Sequence, residues 1–145
     1  MSDPLYRKDI LRLAADAHGA GRLQNPTVIG SAHNPTCGDK VTVDLALDET
    51  GRVTAVAQDA KACVLTQASA SILADRLKGA GREDVEALAN TVAAMLAANG
   101  EPPPPPFEPY AAFLGAVTHR NRHRCVLLPI EAVLDAFDNL PNQLP

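Results

Sequence analysis

The chain has 145 residues, of which 46% are hydrophobic and 21% charged, so we expect one domain, residues 1–145, with an ordinary buried core. Its net charge of −4 and its lack of tryptophan argue against nucleic-acid binding, binding to anionic membranes and base-stacking platforms. No apolar run has the length of a membrane span, and the first ten residues lack the apolar stretch of a signal peptide. We therefore predict a cytoplasmic protein.

The first quarter of the chain predicts a helix followed by an irregular segment. Apolar residues at helical spacing indicate a helix over residues 5–17, and Pro4 takes a position typical of a first turn. Two Asn-Pro pairs follow within residues 23–35, and each pair favours extended or turn geometry at the residue before the proline. This segment therefore places Cys37 on or beside a loop.

A β-hairpin is predicted directly after Cys37. Apolar and polar residues alternate over residues 41–47, which is the period-two pattern of a half-buried strand. Residues 48–51 then form a turn, and a second strand over residues 52–59 returns antiparallel to the first. Because a hairpin brings its two ends together, we expect Cys37 and Cys63 to lie at the same end of the sheet.

Two helices and a proline run follow the hairpin. Helical spacing of apolar residues predicts helices over residues 65–77 and 85–96. Five consecutive prolines at residues 102–106 exclude a helix or a central strand and predict a stiff connector, which we place at residues 101–109. A docking element for a proline-binding domain is the alternative interpretation of this run.

The last predicted helix covers residues 126–138, with Pro129 in its first turn. The basic run before it, residues 119–124, is either a patch for an acidic partner surface or a solvated loop. Cys63 and Cys125 thus each immediately precede a predicted helix. Unpaired N–H groups and a partial positive charge at a helix N-terminus favour the thiolate, which is the form that binds metals and attacks sulfur.

The cysteines also form a candidate metal site. Their odd number argues against a disulfide framework, and the absence of a C-x-x-C pair argues against a zinc ribbon or a thioredoxin-like site. In the Cys37-Gly38-Asp39 turn both outer side chains can face one ion, so that three thiolates and one carboxylate would complete a tetrahedral site. The alternatives are three unrelated buried thiols and a turn aspartate. Other candidate fourth ligands are His33, His119 and His123.

Three motifs carry a resemblance that spans nearly the whole chain. They are HNPTCGD at residues 33–39, CVLTQASAS at residues 63–71 and RHRCVLLP at residues 122–129. With these motifs the chain resembles the U-type iron–sulfur cluster assembly scaffold family, which comprises IscU, SufU and the N-terminal domain of NifU. The resemblance implies an α+β, SufE/NifU-like fold, in which helices pack on one side of a small antiparallel sheet.

The resemblance also implies a ligand set and a subtype. Cys37, Asp39, Cys63 and Cys125 would be the metal ligands, with Arg122 as a lesser member of the site. The long interval between the second and third cysteines is similar to that of SufU, and Arg124 stands where IscU-like proteins have histidine. The chain departs from the family before the second cysteine. Gln58 stands in place of an aromatic residue, and alanines at positions 60 and 62 replace glycines.

Two functions follow from the resemblance. The first is a scaffold that receives sulfur from a SufS-like cysteine desulfurase, holds a [2Fe-2S] cluster or iron, and passes clusters to apo iron–sulfur proteins. The alternative is a zinc-dependent sulfurtransferase that accepts persulfide sulfur from a SufS-type desulfurase. In either case Cys37 is the predicted catalytic sulfur acceptor and Cys125 the second choice. A third hypothesis is a non-catalytic, metal-stabilised interaction module that docks through its proline run.

Overall fold

The computed structural model describes residues 7–36, 38–98 and 100–140. Its sheet has three antiparallel strands in the order β1 (Val28–Asn34), β2 (Asp39–Leu47) and β3 (Val53–Lys61). The predicted hairpin is confirmed, since β2 and β3 pair in an antiparallel register and Gly51 in their turn has a φ of 83°. The cysteine at position 37 falls outside the described residues, so its predicted place beside Cys63 stays a prediction.

Strand β1 was not predicted, because the Asn-Pro pairs suggested only extended or turn geometry. The structure shows that these prolines bracket the strand instead of interrupting it. Gly30 in its middle is a poor strand former. Its small size is required here, because a Cβ at this position would lie 2.2 Å from the backbone nitrogen of Ala136. A glycine that weakens the strand signal therefore allows a helix to lie directly on the strand.

In the described residues, four α-helices and two 3₁₀ helices complete the α+β fold. The α-helices are α1 (Lys8–Asp16), α2 (Val64–Arg76), α3 (Arg82–Ala98) and α4 (His123–Asp138), and the 3₁₀ helices cover Glu108–Ala116 and Arg120–Arg122. Helix α4 lies across β1 and β2, while α2 contacts β3 and packs against α1 and α4. The predicted fold class is confirmed. In the described part of the chain, no helix has the length and apolar character needed to cross a membrane.

The core lies between the sheet and the helices. Val41, Val43 and Leu45 of the central strand are at most 2% exposed, as the alternating pattern predicted. They pack in one cluster with buried side chains of the helices, among them Leu65 and Val133. Full burial of such a side chain contributes about 1.5–3 kcal/mol. This packing fixes the start of β2 relative to α2 and α4.

The predicted start of the last helix was wrong. Helix α4 begins at His123, so Cys125 lies in its first turn and Pro129 in its second. The His123 side chain stabilises this earlier start, since its Nε2 atom lies 2.9 Å and 3.0 Å from the carbonyl oxygens of Ala116 and Val117. A 3₁₀ turn at Arg120–Arg122 leads directly into the helix. The basic run is therefore largely structured.

The proline run contains neither helix nor strand, as predicted, but it is not a straight spacer. The chain turns at residues 105 and 106, and the Phe107 N–H group donates to the Pro104 carbonyl at 3.0 Å. Arg76 at the end of α2 donates to the Pro106 carbonyl at 3.3 Å, and the Phe107 side chain is buried in the core. The run therefore lies against the body of the protein.

Candidate metal centre

Three of the predicted ligands converge at one end of the sheet. Asp39 is the first residue of β2, Cys63 is the N-cap residue of α2, and Cys125 lies in the first turn of α4. One ligand atom from each residue, a carboxylate oxygen or a thiol sulfur, lies within 4.8 Å of the other two. The β2–β3 register brings this about, because Lys40 pairs with Lys61 and so the start of β2 lies beside the residues that lead into α2.

The Asp39 carboxylate is held by two neutral donors. Its Oδ1 accepts the backbone N–H of Cys63 at 3.2 Å, and its Oδ2 lies 3.1 Å from the Thr66 hydroxyl. The residue is only 6% exposed, and no ion pair among the described residues includes it. Burial of a carboxylate with no cation beside it costs free energy, so a cation bound at this end of the sheet would be stabilised.

The two cysteines of the cluster differ in exposure. Cys125 is 1% exposed, whereas Cys63 is half-buried. Both lie at helix N-termini, Cys63 as the N-cap residue of α2 and Cys125 within the first turn of α4 instead of at the predicted place before the helix. The half-buried Cys63 leaves the cluster partly open to solvent.

Thr66 is a member of the site that the sequence analysis missed. Its side chain is fully buried, and its Oγ1 atom lies 3.0 Å from the Cys125 carbonyl oxygen and 3.5 Å from the Cys63 sulfur. The local signal was a hydroxyl three residues after a helix-capping cysteine, which puts it in the first turn facing the cap. Hydroxyls at such positions are common, so the signal alone does not identify a site residue.

The alternative histidine ligands do not join the cluster in the described part of the chain. His33 is exposed, His119 is half-buried, and the Nε2 atom of His123 faces two carbonyl oxygens. Arg122, which ends the 3₁₀ turn before α4, is half-buried. The Arg124 side chain is exposed and lies 3.4 Å from the Glu131 carboxylate. Burial raises the pKa of the Glu131 carboxyl, and the Arg124 charge partly opposes that rise.

Two sulfur atoms and one carboxylate oxygen are suited to zinc or iron. Thiolates are soft ligands that both metals accept, and the carboxylate is a harder and less covalent one. In a tetrahedral site with Zn–S distances of about 2.3 Å, neighbouring sulfurs lie about 3.8 Å apart. The described atoms, within 4.8 Å of one another, need to move little to reach such a geometry. They leave one position for a fourth ligand.

Known proteins are similar to this chain in sequence and in structure. The model of the NifU-like N terminal domain family matches residues 5–106. The chain is 34% identical over 88 residues to an iron–sulfur cluster assembly scaffold protein IscU of Thermotoga maritima, an alignment that covers 58% of each chain. It is 32% identical over 88 residues to a zinc-dependent sulfurtransferase SufU of Bacillus subtilis, with 58% of this chain and 54% of the relative covered. Each alignment thus spans little more than half of the relative.

A crystal structure of the N-terminal part of a nitrogen-fixing NifU-like protein from Brucella abortus is similar over almost its full length. The TM-score is 0.91 at 32% identity, and the superposition covers 98% of each chain. This likeness confirms the predicted α+β fold, and the family match confirms the resemblance read from the three cysteine motifs. The chain belongs to the NifU-like N-terminal domain family of iron–sulfur cluster assembly scaffolds.

Proposed function

We propose that the protein is a cytoplasmic scaffold that receives sulfur from a cysteine desulfurase and assembles iron–sulfur clusters, or passes them on, at Cys37, Asp39, Cys63 and Cys125. One observation carries the proposal, namely the convergence of Asp39, Cys63 and Cys125 around a position that has room for a cation. The recipients would be apo iron–sulfur proteins. The cluster is the cargo of this reaction, so a site that holds it loosely serves the function.

Each residue has a defined part in this proposal. The Cys37 thiolate attacks the sulfane sulfur of the desulfurase persulfide, a new S–S bond forms on Cys37, and the desulfurase cysteine leaves as a thiolate. Electrons balance, because the sulfane sulfur moves without net oxidation. Cys63 and Cys125 supply soft ligands. The 1% exposure of Cys125 favours a ligand role over the acceptor role that was our second choice.

A zinc-dependent sulfurtransferase is the second candidate function. It is favoured by the name of the Bacillus subtilis relative and by the long interval between Cys63 and Cys125. The same four residues would hold zinc, and the desulfurase would again supply persulfide sulfur. The two candidates share their ligands and differ in what the site carries.

Metal analysis of protein purified without oxygen and without a tag distinguishes the two functions. Iron and acid-labile sulfide in equal amounts, with visible absorption that fades on mixing with an apo-ferredoxin, would support the scaffold. One equivalent of zinc, no visible absorption and stimulation of a desulfurase would support the sulfurtransferase.

Two substitutions test the shared site. We expect Cys37→Ser and Cys63→Ser to lose stoichiometric metal in either case. Asp59→Asn replaces an exposed aspartate on β3 and should retain it, which makes it the matched control. Full metal retention in Cys63→Ser would contradict both functions.

A further inference from the structure

The Thr66 hydroxyl stands between two oxygen acceptors beside the candidate metal centre, and the Cys63 sulfur is a more distant contact at 3.5 Å. Its Oγ1 atom lies 3.1 Å from Asp39 Oδ2 and 3.0 Å from the Cys125 carbonyl oxygen. A threonine hydroxyl carries one proton and can donate to only one of these acceptors at a time. The buried Thr66 hydroxyl can therefore donate either to the carboxylate of the candidate metal centre or to a backbone carbonyl.

Pro129 is the reason that the carbonyl of Cys125 competes for this proton. In an α-helix that carbonyl would accept the N–H group four residues later, but position 129 is a proline and has none. Thr66 on the neighbouring helix donates in its place. At the next carbonyl, that of Val126, the helix can supply the N–H group of Ile130, and Ser69 donates in addition at 2.7 Å. The competition is therefore confined to the carbonyl nearest the site.

Resting on the proposed metal site, we infer that Thr66 is a positioning residue that sets how readily Asp39 leaves a bound metal. While Asp39 is a ligand, the hydroxyl donates to the Cys125 carbonyl. When the carboxylate is released, the hydroxyl turns to Asp39 Oδ2 and stabilises a charge that is otherwise buried. Hydrogen bonds to ionised acceptors are stronger than neutral ones, so the released carboxylate gains more than the carbonyl loses.

The second hydrogen bond of Asp39 holds its carboxylate in place while the Thr66 hydroxyl changes its acceptor. The Cys63 N–H group donates to Oδ1 at 3.2 Å, an oxygen that the hydroxyl does not use. The carboxylate therefore stays oriented at the cluster in both positions of the hydroxyl. Opening the site then requires the rotation of one hydroxyl and a small movement of one carboxylate, with no change in the backbone.

The test is the rate at which zinc-loaded protein gives up zinc to an excess of a coloured chelator. Thr66→Val keeps the shape and removes the donor, so we expect release to slow about tenfold. Thr66→Ser keeps the hydroxyl and should release zinc at close to the wild-type rate. Ser69→Ala removes a buried hydroxyl of the same helix that does not contact the cluster. It should lower thermal stability and leave the release rate unchanged.

A second variant acts in the opposite direction and does not alter Thr66. Pro129→Ala supplies an N–H group for the Cys125 carbonyl, which frees the hydroxyl for Asp39, and release should become about threefold faster. A purely structural role for Thr66 predicts lower thermal stability in Thr66→Val with unchanged release, and that result, or faster release, would overturn the inference. Wild-type protein that binds no zinc and no iron would instead overturn the proposed metal site.

Discussion

Two buried aspartates of strand β2, Asp39 and Asp44, differ in what surrounds their charge. Asp44 is 1% exposed, and Arg22 donates to both of its oxygens at 2.8 Å and 2.9 Å. The Leu23 N–H group adds a third hydrogen bond at 3.0 Å. Asp39 is buried almost as deeply, at 6% exposed, but its donors in the described structure are an amide and a hydroxyl.

The difference separates a structural carboxylate from a candidate metal ligand. The two residues are an odd number of positions apart, so they point to opposite faces of the sheet. On one face Arg22 supplies a cation for Asp44, and this ion pair connects the segment before β1 to the central strand. On the other face the hydrogen-bond donors among the described residues are neutral, which leaves the negative charge of Asp39 suited to a metal. Burial alone would not have distinguished them.

Replacement of Asp44 should have the largest effect on stability. Asp44→Asn keeps the shape but loses the ionised partner of Arg22 and turns an amide N–H₂ group toward other donors. We expect a loss of about 2 kcal/mol in the free energy of unfolding. Urea unfolding of metal-free protein at pH 7 measures this change. Metal binding should be unaffected, and a variant as stable as the wild type would contradict a structural role for the pair.

The pH dependence of the free energy of unfolding should also report the Arg22–Asp44 pair. The hydrogen bonds from Arg22 are the main cause that lowers the pKa of Asp44 below its ordinary value of 3.8. A carboxyl with a lowered folded pKa stabilises the protein above the ordinary pKa, and this contribution is lost as the pH falls through the lowered value. The stability difference between wild type and Asp44→Asn should therefore be constant near neutral pH and shrink below pH 3.8.

The same substitution at Asp39 should have the opposite sign. In Asp39→Asn the side-chain oxygen can still accept the Cys63 N–H group, and the new N–H₂ group can donate to Thr66, whose hydroxyl then donates to the Cys125 carbonyl. All partners are satisfied and a buried charge is removed, so metal-free protein should gain about 1 kcal/mol in the same urea measurement. Asp59→Asn is the matched control. Lower stability in Asp39→Asn would show that the carboxylate contributes to folding.

The smallest expected effect comes from the arginine. Arg22→Lys retains the positive charge next to Asp44 but cannot donate in the two-pronged geometry of the guanidinium. We expect a decrease in thermal stability smaller than that of Asp44→Asn, with no change in metal content. An equal decrease would mean that the geometry of the pair matters more than its charge.

Sequence patterns predicted the features that depend on neighbours along the chain. The alternation at residues 41–47 predicted the hairpin, and the hairpin brought Asp39 to Cys63. Strand β1 was not predicted. Its glycine, Gly30, is needed because helix α4, which is distant in sequence, packs directly on the strand at this position. The start of α4 was misjudged for a similar reason, since the His123 hydrogen bonds that fix it are not visible as a pattern.

The sequence motifs identified the three residues that the structure brings together, Asp39, Cys63 and Cys125. Their role as metal ligands stays a prediction. Thr66 was missed, because its importance depends on a carbonyl of α4 that Pro129 leaves without a helical donor. The pairing of Arg22 with Asp44 was missed as well, since nothing in the spacing of these two residues implies contact. Both depend on packing between elements that are distant in sequence.

The ligands come from the start of β2, the N-terminus of α2 and the first turn of α4, segments that lie far apart along the chain. An ion bound there would act as a reversible cross-link between the hairpin and helix α4. An ion that binds only the folded form also stabilises that form by mass action. Metal-loaded protein should therefore resist unfolding better than metal-free protein.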